Sequence, residues 1–220
     1  MKTDLERDLE TGEFGKIMLI VVVVAALVGM GLFTWQRIQA GIKPYEEGQI
    51  LDEQNAYVND YFKIRFQCPD GYKMNRLQIS TMDIETAAGN QYEDVERYLD
   101  SGQYYPELEV KDTDSFSGMN ISVGKGRLSL YNAAFRRKME NYLQRIFSSL
   151  GNVSVQVGEP YEDKLANQTY QVLDVNVVAS GYPMRATLFV RSKGLYTVMI
   201  VVAKVNESTN EIIDGFIAYD

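Results

Sequence analysis

Hydrophobic and polar positions change rhythm several times along this chain. The first rhythm is an unbroken one. Ile17 to Gln36 reads IMLIVVVVAALVGMGLFTWQ, without a charge, between Lys16 and Arg37. At about 1.5 Å rise per residue, a helix of that length spans about 30 Å, the thickness of a bilayer's hydrocarbon core. The run predicts a transmembrane helix over 17–36, with Trp35 at an interfacial position. A cleaved signal peptide has a shorter apolar region and a small-residue cleavage site, so an uncleaved signal-anchor is expected. Residues 37–56 carry Gly, Pro and acids with no apolar period, and read as a juxtamembrane stalk. The short charged segment 1–16 reads as a cytoplasmic tail. That gives a single-pass plasma-membrane protein with residues 57–220 as one extracytoplasmic domain.

Period-two alternation takes over in that domain. Phe62, Ile64 and Phe66 share one face of a strand, and Lys63 and Arg65 the other. Pro69-Asp70-Gly71 supplies turn chemistry. Leu77 to Met82 alternates again, and Tyr92 to Leu99 has the spacing of a short helix. Glu107–Val110 and Met119–Val123 predict a strand pair. The rhythm then turns helical: Phe135, Met139, Leu143, Ile146, Phe147 and Leu150 define one face of a helix over 131–150, closed by Gly151. Ile146 and Phe147 are expected to be buried with Phe135 and Leu143. Strands follow at Val153–Val157, Gln168–Ala179, Tyr182–Arg191 and Leu195–Ala203. The last three form an antiparallel meander, with the near-continuous Val198–Val202 run placed centrally. A final amphipathic helix from Glu207 is expected to turn Ile212, Ile213, Phe216 and Ile217 inward. The order is α+β, with an antiparallel sheet and helices packed on it.

Charge and residue usage narrow the chemistry. The net charge is −8, and no basic stripe is present, so nucleic acid is not an expected partner. By the same balance the domain as a whole is not drawn to an anionic membrane surface. There is no histidine and one cysteine, Cys68. An internal disulfide, an imidazole metal ligand and a Ser-His or Cys-His dyad are therefore excluded. Cys68 sits at a strand end and reads as a small, partly buried hydrophobe. Gly124-Lys125-Gly126-Arg127 lacks Walker spacing and reads as a strand-end turn. Asp112, Asp114 and Ser115 lack the Gly and closing Glu of a calcium loop. No metal site and no cofactor are expected. Four N-x-S/T sequons begin at Asn120, Asn152, Asn167 and Asn206 and are weak pointers to glycosylation.

The run Tyr61-Phe62-Lys63-Ile64-Arg65-Phe66-Gln67-Cys68-Pro69-Asp70-Gly71-Tyr72 resembles the opening of PsbP/Mog1-like domains. The long helix, the Gly151-Asn152-Val153-Ser154-Val155 segment, the meander and the end at Ile212-Ile213-Asp214-Gly215-Phe216 resemble them too, over residues 57–220. The nearest likeness is to anchored, uncharacterised extracytoplasmic proteins of Gram-positive anaerobic bacteria. The resemblance implies an alpha-beta-alpha sandwich and a role in binding proteins, with no catalytic residues to carry over.

Two functional readings follow. The first is a non-enzymatic, membrane-anchored binding or assembly module with an unidentified envelope protein as partner. Its candidate surface is the tyrosine cluster Tyr98, Tyr104 and Tyr105, placed between two strands, where amphipathic aromatics can form a recognition patch. The second is a carboxylate-based enzyme acting on envelope glycans, motivated by the acidic stretch Asp83, Glu85, Glu93, Asp94 and Glu96.

Overall fold

The structure, a computed structural model, describes residues 45–78, 104–112, 117–147, 153–179, 182–204 and 210–219. The expected anchor over 17–36, the expected tail 1–16, the acidic stretch 83–96 and the expected helix over 92–99 lie outside these residues. Among the described residues no helix is long and apolar enough to cross a membrane.

Two antiparallel sheets dominate. A small sheet holds β1 (Gln49–Leu51), β2 (Ala56–Asn59), β3 (Ile64–Gln67) and, near the C-terminus, β12 (Phe216–Ile217), in the order β1-β2-β3-β12. The large sheet takes β4 (Tyr72–Asn75), β5 (Tyr104–Asp112), β6 (Gly118–Lys125), β7 (Val153–Val157), β8 (Tyr161–Leu165), β9 (Gln168–Ala179), β10 (Tyr182–Lys193) and β11 (Tyr196–Lys204). Its order is β4-β5-β6-β11-β10-β9-β7, with β8 also paired to β9. The meander β9-β10-β11 forms as expected, and β11 lies at the centre.

Alternation explains why the sheets stack. Phe62, Ile64 and Phe66 are all buried, on the face the pattern assigned them. They meet Leu108 and Val110 of β5, Met119 and Ile121 of β6, and Val198 and Ile200 of β11 in one core cluster. Phe66 stacks on Phe216 of β12 at 5.0 Å between ring centres. The opposite face of the large sheet is covered by α1 (Ala133–Phe147), which buries Phe135, Met139 and Leu143. Asn132 caps that helix: its Oδ1 accepts from the N–H groups of Ala134 at 3.0 Å and Phe135 at 3.2 Å. The side chains of Ile146 and Phe147 lie outside the described residues, as does the predicted C-terminal end at Leu150-Gly151.

Four expectations need correction. The fold is α+β but sheet-rich, not an alpha-beta-alpha sandwich: the layer facing the large sheet across the main core is the small sheet. Beside it, among the described residues, lies only the five-residue helix α2 (Asn210–Asp214). That helix was expected to continue through Ile217. Instead Gly215 ends it, because a Cβ there would come within 2.6 Å of the Gln67 carbonyl, and the chain turns to pair Phe216 with Phe66. Ile217 is consequently exposed. β8 was not foreseen, since Tyr161-Glu162-Asp163-Lys164 shows no buried alternate positions. Finally, residues 45–56, expected in a stalk, belong to the domain. Tyr45 is already in the core cluster, and residues 49–51 form a strand.

Candidate functional site

The most concentrated chemistry among the described residues is built on an irregularity in β5. Pro106 pairs with Ser122 and Leu108 with the next residue, Ile121, so Glu107 is an extra residue in the ladder. A bulge of this kind re-aims a side chain. Here it sends Glu107 inward, where it is 0% exposed.

A carboxylate in such a place is tenable only if its oxygens are met by donors. Four converge on it. Oε1 accepts from the Tyr45 hydroxyl and from the Gly48 N–H at 3.1 Å. Oε2 accepts from the Tyr57 hydroxyl and from Asn59 Nδ2 at 2.9 Å. Asn59 Nδ2 also lies 2.6 Å from the Tyr45 hydroxyl oxygen and 3.2 Å from that of Tyr57. The other end of the same amide is used as well, since Asn59 Oδ1 accepts from the Phe62 N–H at 2.9 Å. Burial, reinforced by the nearby Glu107 carboxylate, pushes both phenols far above the ordinary tyrosine value. Both hydroxyls therefore remain protonated donors.

Gly48 is required by this packing. A Cβ on it would come within 2.6 Å of the Tyr57 ring. Its carbonyl accepts from Arg76 Nη1 at 3.1 Å, and Arg76 also pairs with Glu47. The result is a clasp. Residues 45–48, just inside the domain, are fastened to the sheet through one buried carboxylate. The Tyr45 ring then seats among Tyr61 at 5.4 Å, Tyr105 at 4.9 Å and Tyr196 at 5.2 Å.

Of the tyrosine patch expected from the sequence, these placements remove Tyr104. Tyr104 lies inside β5, not between strands, and is 4% exposed. Tyr105 is half-buried in the ring cluster, and Tyr98 lies outside the described residues. Cys68 is buried, and burial raises its thiol above the ordinary value, as suits an apolar role. The Gly124–Arg127 run is a strand-end turn, with the Gly126 N–H donating to the Leu195 carbonyl at 2.6 Å. No group of side chains suited to a metal ion occurs among the described residues.

No family model matches this chain, and no curated protein does. Among solved structures it is similar to cyanobacterial PsbP from Synechocystis sp. PCC 6803. That match has a TM-score of 0.44 and 9% identity, and covers 84% of this chain and 99% of that one. It is also similar to LpqN, a protein involved in cell envelope biogenesis of Mycobacterium tuberculosis. There the TM-score is 0.33 and the identity 11%, over 69% of this chain and 76% of that one. No residue and no activity transfers from either.

Sequence reasoning missed Glu107 and its donors. One signal was available. Met119, Ile121 and Val123 keep even spacing on β6, whereas Tyr105, Leu108 and Val110 on β5 do not. That broken parity marks the bulge.

Proposed function

We propose that this chain is a non-enzymatic binding module held at the outer surface of the plasma membrane by residues 17–36, with an envelope protein as its partner. The observation that carries the reading is the clasp. Tyr45 is rigidly built into the domain only eight residues beyond Arg37's side of the apolar run, over residues 37–44. Eight residues extend at most about 30 Å, so the domain rides close to the bilayer. Among the described residues the one fully buried carboxylate is committed to internal donors, which suits a rigid scaffold.

The test has two parts. Protease added to intact cells is expected to remove the domain and spare the tail; a domain protected until lysis would reject the orientation. Crosslinking in the native membrane, followed by mass spectrometry, is expected to capture one recurrent envelope protein. Turnover of an envelope glycan by the purified chain would instead support the enzyme reading.

A further inference from the structure

We infer that the end of the domain where the chain comes in docks on anionic lipid headgroups of the same bilayer. The inference rests on the membrane reading above. It concerns which face of the domain meets the lipid.

Tyr45 marks that end. Its ring partners come from the β2–β3 turn (Tyr61), the start of β5 (Tyr105) and the start of β11 (Tyr196). These all lie at one end of the two sheets. Basic side chains gather there. Lys193 Nζ donates to the Tyr61 carbonyl at 2.6 Å and lies 5.2 Å above the Tyr61 ring. Arg127 Nε donates to the Gly194 carbonyl at 3.2 Å. Lys125 pairs in register with Tyr196, and Lys63 Nζ lies 4.5 Å above the Tyr219 ring. The acids at this end among the described residues include the buried Glu107 beneath Tyr45, Asp60, 4.0 Å from Lys63 Nζ, and Glu46 and Glu47, the last paired with Arg76. A chain with net charge −8 thus still gathers Lys125, Arg127 and Lys193 around the end of β6 and the β10–β11 turn, at the end where its tether comes in.

Two physical scales favour contact. Eight residues reach at most about 30 Å, whatever their conformation. The headgroup layer adds about 5–8 Å on each side of the hydrocarbon, and charges act over a Debye length of about 8 Å. The lysines and Arg127 are therefore held within reach of the lipid surface at high effective concentration. Tyr61, Tyr105 and Tyr219 are half-buried there, and an apolar ring with a polar tip is the side chain that headgroup layers favour. The expectation from overall charge, that the domain is indifferent to an anionic surface, fails at this end because the charge is unevenly spread.

The test uses the full chain reconstituted into vesicles. One set is phosphatidylcholine alone; the other carries about one-third phosphatidylglycerol. With Cys68→Ser as background, a fluorophore is placed at Asp60→Cys, at the proposed contact, or at Asp70→Cys, in the turn at the opposite end. Energy transfer to headgroup-labelled lipid is then read. Transfer from position 60 is expected to exceed that from position 70 by about two-fold or more in the anionic vesicles. The excess is expected to shrink in high salt and in phosphatidylcholine. It is also expected to shrink in a Lys125→Glu, Arg127→Glu, Lys193→Glu variant whose cooperative melting shows it folded. A Lys125→Gln, Arg127→Gln variant should move the same way by less. Equal transfer from both positions, or transfer indifferent to lipid charge, in protein that floats with the vesicles through alkaline carbonate, overturns this inference and leaves the anchor standing. Protein that fails to float overturns both.

Discussion

Two carboxylates on the large sheet are served by similar groups and live in opposite surroundings. Glu107 lies under the small sheet and takes all its donors from the interior. Asp174, on β9, lies where the small sheet no longer covers the large one. Its Oδ1 accepts from Thr187 Oγ1 at 2.7 Å, and its Oδ2 from Arg185 Nη2 and the Tyr161 hydroxyl, both at 3.3 Å. Tyr161 is exposed, and the Arg185 side chain is 58% exposed. Asp174 even has a full cation in contact with it, whereas among the described residues no ion pair to Glu107 is formed. Coulomb attraction alone would rank the Asp174 site first. Burial reverses the ranking, because water substitutes for any lost partner at Asp174 and for none at Glu107.

The contrast can be broken in several places. The largest effect is expected at Glu107. Replacement by Ala strands four buried donors and should cost about 3–5 kcal/mol in denaturant unfolding of the solubilised full chain. A cost below that of Arg185→Ala, at the Asp174 site, would overthrow the comparison. Phe66→Ala, a pure packing loss in the same core, should cost a similar amount, about 3–5 kcal/mol. Next comes Tyr57→Phe, which removes one donor and keeps the ring, at about 1.5–3 kcal/mol.

The pH dependence sharpens the same point. The folded values of the Tyr45 and Tyr57 phenols lie above their unfolded value of 10.0. A raised value means that the folded protein holds its protons where the unfolded chain has released them. Stability is therefore fully present below pH 10 and is lost as pH climbs beyond it. Unfolding midpoints measured upward from that pH should fall, and Tyr57→Phe should fall less steeply than the parent. Parallel slopes would mean that the Tyr57 phenol is not shielded in the way its burial implies. The smallest effect belongs to the open site. Arg185→Ala should change stability by less than about 1 kcal/mol, and added salt should erase most of that.

How legible this contrast is in the sequence depends on the range of the forces involved. The strands read at 62–66, 119–123 and 168–191 are written in local alternation, the one at 195–203 in an apolar run, and α1 in its apolar face. Those readings need only near neighbours, and the elements formed there, although Phe62 and Lys63 fall in the turn before β3 and α1 starts at Ala133, two residues after the expected Tyr131. The clasp needs residues 45, 48, 57 and 59 to meet residue 107, and no local period reports that meeting. Tyr45 and Gly48 looked like stalk because the residues around them are polar. Tyr104 looked available because tyrosine suits either a surface or a core, and only the pairing of β5 with β6 decides which. β8 stayed invisible for another reason: Tyr161 to Lys164 are all exposed, so no buried alternate positions announce its pairing with β9.

That last pairing has a consequence for life in a crowded layer. β9 is twelve residues long, and its outer side would make a ready template for a strand from another molecule. The chain divides it. β8 takes Gln168–Val172, β7 takes Val175–Ala179, and between them the Gly158 N–H donates to the Asp174 carbonyl at 2.9 Å. What faces outward is two five-residue rims interrupted at residues 158–160, one of them carrying Glu162, Asp163 and Lys164. A stray strand would find no continuous twelve-residue rail to follow, so copies at high local concentration are kept from zipping into fibrils along this side.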